Sequence, residues 1–558
     1  MTRAFDRRSF LALAAASSAS CALPRTAASE RRYAFDCVIR GGRVLDGTGG
    51  PEWTADIGLR GDTIAEFGAI DPEQARSVID ARGLCVAPGF IDIHTHSDAD
   101  VFAYPDEESR VFQGVTTEIT GNCGSSAAPL RGPERDEDVR DLRAKGIDAR
   151  WTDVASYFAA LESTRIAVNQ ALLLGQGTLR RGVARLENRP LTERELAEVL
   201  RQLEEGLDQG AIGFSTGLEY TPGRFTPTDE LIAMARVLAR RGKLYASHLR
   251  SEEAQFLEAL EEALRIGRES GARVQVSHLK AAGKPNWGKQ DSALAALELA
   301  RAIGIDVLAD AYPYTAYSTG LTVFLSDEAR EGGDDALLAR LRDPAERAKI
   351  RADLEPRVAS DPGGFDLIVI ASVGAGRNRD AIGVDLATIA ARRGVEPAEA
   401  LLELLEEEKA DVGFIGHGMS EENVVKVLTH PLVLIGSDGR AMAPRGKALE
   451  TRPHPRSYGT FARVLAKYVR DEHRLDLPTA IQKMTSMPAT QAGLTDRGRL
   501  GRGMKADLVV FDPAQVQDRA TFDDPHETST GFAHVLVNGV AVVRDGARTN
   551  ERPGRALR

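Results

Sequence analysis

The sequence predicts an α/β protein built on a (β/α)8 TIM barrel, with a small β-sandwich formed by the two chain ends and an insertion between barrel strands 7 and 8. Three observations carry this expectation. Eight short apolar runs recur between residues 90 and 437, with helical patterns between several of them, as in a parallel sheet covered by helices. Both ends of the chain show a different texture, short strands punctuated by glycine turns. The interval between the seventh and eighth runs is too long for one loop and contains helical patterns of its own.

In chain order, residues 1–28 read as a twin-arginine export signal, with Arg7-Arg8-Ser9-Phe10-Leu11 ahead of an alanine-rich apolar run ending at Leu23. That run is far shorter than the roughly 20 residues of a membrane span. Thr26-Ala27-Ala28 offers small-residue cleavage after Ala28, which predicts a periplasmic protein. Ser18-Ala19-Ser20 before Cys21 offers a second site that would leave Cys21 for lipid. Ser18, however, stands where a lipoprotein signal usually has an aliphatic residue.

Residues 35–88 supply the first part of the sandwich, through FDCVIRGGRV (35–44) and DIGLRGDTIAEF (56–67). Residues 500–550 supply the second, through ADLVVF (506–511) and VLVNGVAVV (535–543). The barrel, 89–499, has its expected strands at 90–94, 115–120, 171–174, 212–215, 244–248, 274–278, 307–310 and 432–437. Helices are expected over 191–207 and 251–266, where apolar residues recur at three- and four-residue intervals. The insertion is expected over about 327–412, with helices at 345–354 and 397–408.

With 42% hydrophobic and 27% charged residues, the chain has the composition of a globular enzyme. Its 71 basic and 82 acidic residues leave a net charge of −11 without basic tracts, which argues against nucleic acid or an anionic membrane as partner and favours a small molecule. Beyond the signal three cysteines remain, Cys37, Cys85 and Cys123. An odd number in an oxidising compartment cannot all pair.

In a TIM barrel the functional groups stand at the C-terminal ends of the strands. The first expected strand ends in His94-Thr95-His96, where strand alternation puts both imidazoles on one face, able to share a metal. The fifth ends in His248, the sixth in His278, and the eighth in Asp438. One strand-end histidine would be an ordinary structural residue. Four of the chain's ten histidines in such positions, with an aspartate at the last, point to a metal centre. His417, His430, His454, His473, His526 and His534 have no such placement and default to structural or surface roles.

FIDIHTHSD, the later strand-end histidines and the final aspartate resemble the amidohydrolase superfamily. GNCG (121–124), GFSTGLEY (213–220), SHLK (277–280) and DAYPY (310–314) resemble its D-aminoacylase, or N-acyl-D-amino-acid deacylase, family over nearly the whole mature chain. The resemblance implies a zinc-dependent hydrolase of the amide bond of N-acyl-D-amino acids or D-residue-containing dipeptides. The fourth strand, GFSTG, lacks the lysine that bridges the metals in many relatives, and Cys123 takes that place as the family's cysteine does. By the same resemblance Cys123, His248 and His278 hold one Zn2+ tightly, His94 and His96 face a second position, and Asp438 is the catalytic proton shuttle. Lys280, Tyr312, Ser318 and Arg456 would bind the substrate's α-carboxylate.

The stretch 439–455 is longer than the family leads one to expect and carries Arg440, Arg445, Lys447 and Arg452. Positive charge near the substrate would favour an acidic side chain. The alternatives are a cyclic amidase of the hydantoinase or dihydroorotase kind, a deaminase using Glu252 or Glu253 as shuttle, and an inactive binding protein.

Overall fold

The computed structural model describes residues 33–133 and 135–558. The export-signal reading of 1–28, Cys21 included, lies outside the described residues.

All eight expected barrel strands form, as Phe90–Asp92, Val115–Thr120, Asn169–Gly175, Gly213–Gly217, Leu244–His248, Arg273–Val276, Val307–Ala311 and Val433–Ile435. They lie side by side in chain order, each pair parallel. A parallel bridge between Thr95 and Gly439 joins the first and last strands, at the end where His94, His96 and Asp438 stand. The strands are buried on both faces because both faces are covered. In the third strand Ala171 and Leu173 pack with Ile91, Ile119 and Leu244, whereas Leu172 and Leu174 share a core with Val199 and Leu203 of a flanking helix.

That helix, Glu193–Asp208, starts where Thr192 and Glu195 each accept the other's backbone N–H. The helix expected over 251–266 begins only at Phe256 and runs to Ser270. Ser251 Oγ accepts from the backbone N of Glu253 and Gln255, a local turn that competes with helix formation. Residues 251–255 thereby stay a loop at the barrel mouth, which brings Glu252 and Glu253 to the site.

Both chain ends enter one nine-stranded sheet, in which Cys85–Pro88 pairs with Phe35–Val44 on one side and Leu508–Phe511 on the other. Leu508 and Val510 pack with Ile39, Ile57 and Leu536, while Val509 and Phe511 enter the barrel's core. The sheet curls round the first of these cores, bringing Thr63 into a bridge with Lys505.

Between barrel strands 7 and 8 lies a unit with its own core around Phe324, Leu354 and Phe414. Its three-stranded antiparallel sheet, Tyr317–Gly320, Ile368–Val373 and Val412–Gly416, carries the helices Pro344–Ser360, Leu386–Arg393 and Pro397–Glu407. The insertion spans 317–416, wider than the expected 327–412, because the two short strands that frame it pair with each other. It docks on the loop after the fourth barrel strand, where Arg330 Nη1 donates to Glu219 O at 3.1 Å and Thr319 Oγ1 to Tyr220 Oη at 3.2 Å.

Candidate metal centre

The barrel brings the six strand-end candidates together. Cys123, His278 and Asp438 have φ of 51°, 33° and 52°, left-handed backbone that non-glycine residues rarely adopt. Each such residue costs on the order of 1–3 kcal/mol, and three of them meet at one site. The turn carrying Cys123 is held by Asn122 Nδ2, which donates to Ile119 O at 2.9 Å. Gly124 packs so closely on the fourth strand that a Cβ would sit 2.5 Å from Gly217 N.

Two sets of metal-ligating atoms share the Cys123 thiol: Cys123 with His248 and His278, and Cys123 with His94, His96 and Asp438. Cys123 Sγ lies 3.3 Å from His94 Nε2 and 3.6 Å from His278 Nε2, and His248 Nδ1 lies 2.9 Å from His278 Nε2. Burial opposes the thiolate, but His94, His248 and His278 outweigh it and hold the Cys123 pKa well below that of an ordinary thiol. A thiolate with two imidazoles is a donor set suited to zinc.

The outward nitrogens of three histidines each face a carboxylate. His248 Nε2 is 2.9 Å from Glu219 Oε2, His278 Nδ1 is 2.8 Å from Glu252 Oε1, and His94 Nδ1 is 3.1 Å from Asp310 Oδ1. Each carboxylate takes the ring N–H, leaving the opposite lone pair aimed at the centre. The grouping of Glu219, His248 and Glu252 is thus explained by histidine orientation. Glu252 also ion-pairs with Lys280; burial opposes its charge, but Lys280, His278 and His248 hold its pKa at about 2.

Asp438 divides its oxygens. Oδ1 lies 2.9 Å from His96 Nε2 and 3.4 Å from His94 Nε2, while Oδ2 lies 2.7 Å from Arg456 Nη1. Burial raises its pKa, but Arg456 and the histidines outweigh that and keep the carboxyl well below the usual range. Arg456 stacks on Tyr312 at 5.0 Å and donates to Ser318 O at 3.2 Å. His454 sets the start of its helix, accepting from Arg456 N at 3.0 Å and donating to Ala316 O at 2.9 Å. His248, His278, Lys280, Ser318, Asp438 and Arg456 line one cavity of about 500 Å3, walled on the insertion side by Val323, Phe324, Arg357 and Asp361.

The sequence matches the profile of the Amidohydrolase family over residues 77–357 and 395–543. The chain belongs to the amidohydrolase family. It is 38% identical to the N-acyl-D-glutamate deacylase of Alcaligenes xylosoxydans xylosoxydans over 524 residues, 94% of this chain and 96% of that one. Identity to the D-aminoacylase of the same organism is 39% over 523 residues, covering 94% and 97%. The solved structure of an N-acyl-D-glutamate deacylase from Bordetella bronchiseptica, complexed with zinc and a phosphonate inhibitor, superposes with a TM-score of 0.80 at 38% identity, covering 94% and 99%.

Within this amidohydrolase site, His94, His96, Cys123, His248, His278 and Asp438 converge. Of the four residues assigned to carboxylate binding, Lys280, Ser318 and Arg456 reach the main cavity. Tyr312 lies behind Arg456, facing a smaller adjoining cavity, because its ring is the surface on which the guanidinium stacks. The Ser318 hydroxyl donates to Phe414 O at 2.8 Å. Arg440, Arg445 and Arg452 do not line the cavity. Arg445 pairs with Glu108 and Asp106 and Arg452 with Asp523, whereas Arg440, paired with Asp100, stays within electrostatic reach of Asp438.

Glu219, Glu252 and Asp310 went unassigned as partners of the ligands. Asp310 follows the same strand-end rule as the histidines. Glu219 and Glu252 lie on loops just past the fourth and fifth strands and had no periodic signal.

Proposed function

We propose that the protein hydrolyses the amide bond of N-acyl-D-amino acids, or of D-residue-containing dipeptides, with zinc held by Cys123, His248 and His278. The observation that carries this reading is the Cys123 thiol shared between two ligand groups, one of which contains Asp438 of the buried Asp438–Arg456 pair. The deacylases similar to this chain over most of its length support it.

Zinc at this site supplies Lewis acidity that polarises a carbonyl and acidifies a water. The protein does the rest. Asp438 accepts the proton of the attacking water and returns it to the departing amide nitrogen, a poor leaving group until protonated. Arg456 and Lys280 hold the substrate's α-carboxylate, the arginine as a planar fork and the lysine as a point charge. Glu219, Glu252 and Asp310 keep the histidines in the ligating tautomer. Glu252 is committed to Lys280 and His278, which disfavours Glu252 as a deaminase shuttle.

A hydrolysis screen over matched D- and L-acyl amino acids and dipeptides, with zinc analysis of the same sample, tests the reading. Turnover of D-substrates over their L-partners is expected; equal rates would contradict it. We further propose export to the periplasm through the twin-arginine residues Arg7 and Arg8, to be checked by cell fractionation with an Arg7→Lys, Arg8→Lys double variant. Among the described residues no helix is long and apolar enough to cross a membrane.

A further inference from the structure

Behind the ligands, where barrel strands 1, 2 and 8 meet, lies a buried charged group that the reaction does not use. Its centre is Arg110, on the short helix Glu108–Val111 and wholly buried. Arg110 Nε lies 2.7 Å from Glu118 Oε1 on strand 2. Nη1 donates to Ser437 Oγ at 3.0 Å and lies 3.5 Å from Asp92 Oδ2 on strand 1. The carbonyl of Ser457, one residue past Arg456, is 3.4 Å away.

These partners hold the backbone from which the ligands project. Asp92 Oδ1 accepts from the backbone N of Ser437 at 2.8 Å and of His94 at 3.3 Å. Ser437 Oγ accepts from Gly439 N at 2.9 Å, and Asp438 N donates to His94 O at 2.8 Å. The strained residue Asp438 is therefore pinned on both sides. Gly439 is part of the same fit, since a Cβ there would lie 2.8 Å from Arg110 Nη2. The described contacts of Arg110 reach strands 1, 2 and 8 and the Arg456 helix, and none reaches His248 or His278 on strands 5 and 6.

We propose that Arg110 is a positioning residue that, through Ser437 and Asp92, holds Asp438 and His94 in the geometry of the second metal position. No described contact of Arg110 reaches His248 or His278, so its direct effect falls on the second position. A lysine cannot replace the arginine, because one point charge cannot span Glu118, Asp92 and Ser437 together.

The test uses the full chain and zinc, comparing Arg110→Lys and Ser437→Ala with wild type. Arg180→Lys is the control, since Arg180 is equally buried but is held by Glu230 and the carbonyls of Glu187 and Arg189, outside the metal groups. R110K and S437A are expected to weaken uptake of the second zinc equivalent at least ten-fold, with the first at wild-type affinity. R180K is expected to lower Tm and leave both equivalents unchanged. Wild-type uptake of the second equivalent in R110K and S437A would overturn the proposal. An equal loss in R180K would also overturn it, by making the effect general destabilisation. The measurement needs no substrate, so it stands apart from the proposed hydrolysis.

Discussion

Arg456 Nη1 lies 2.7 Å from Asp438 Oδ2, both side chains being buried at the cavity wall. The proposed proton shuttle and the proposed carboxylate anchor thus form one ion pair. The planar fork is held by stacking on Tyr312 and by the carbonyl of Ser318.

Replacing Arg456 should therefore weaken binding first. Truncating one partner of a buried charge pair costs about 2–5 kcal/mol, or a fall in kcat/KM of roughly 30-fold or more. Arg456→Met is expected to show most of this fall in KM, and Arg456→Lys to restore only part of it, because lysine lacks the stacked fork. Steady-state kinetics on the best acyl-D-amino acid decide it; an unchanged KM in R456M would exclude the anchoring role.

The shared thiol separates the two metal positions experimentally. Cys123→Ala removes a donor common to both groups and is expected to abolish tight zinc binding altogether. His96→Ala removes a donor from one group alone, leaving one tight equivalent. Zinc content after exhaustive dialysis, measured on both variants, should differ by that equivalent.

The carboxylates behind the histidines are expected to act on metal affinity. Glu219→Gln, Glu252→Gln and Asp310→Asn keep side-chain size but lose the charge that orients and enriches the imidazole. Each is expected to lower affinity at its own position by about 10–100-fold. Competition with a chelator reads this directly. Asp310→Asn should act on His94, and also loosen His278, whose backbone N donates to Asp310 Oδ1 at 2.8 Å.

Asp361, on the insertion wall, gives stability a pH dependence. Burial pushes its pKa up to about 7, with Glu219 and Glu252 adding to it against the hydrogen bond donated by Tyr317. Below about pH 4 the carboxyl is protonated whether the chain is folded or unfolded, and it costs nothing. Between about pH 4 and 7 only the unfolded chain ionises, so stability falls as pH rises, and above about 7 the loss is constant. Asp361→Asn mimics the protonated form and is expected to raise stability at pH 8 by on the order of a few kcal/mol, with no gain at pH 4. Thermal melts at the two pH values check the sign.

Most of the eight strands were legible because a strand covered on both faces favours a short run of apolar residues whatever its neighbours are. Their ends were legible because a parallel barrel collects them at one mouth. The insertion's frame was not, since Tyr317–Gly320 and Val412–Gly416 are too short and too far apart to announce their pairing. Nor was the late start of the helix after His248, because Ser251 diverts the backbone into a turn by side-chain hydrogen bonds that periodicity does not register.

What the sequence by itself determined is the set of ligand types: paired histidines after strand 1, single histidines after strands 5 and 6, an aspartate after strand 8. Those follow from local order along the chain. The family resemblance added Cys123 as their common ligand. Only the tertiary structure decided which groups face them. It placed Glu219, Glu252 and Asp310 behind the histidines, paired Arg456 with Asp438, and spent Arg445 and Arg452 on distant carboxylates. A charge acts over a few ångströms of space, whatever the number of residues between. Its partner is therefore set by how the barrel closes, the relationship that Thr95 and Gly439 make at the junction of its first and last strands.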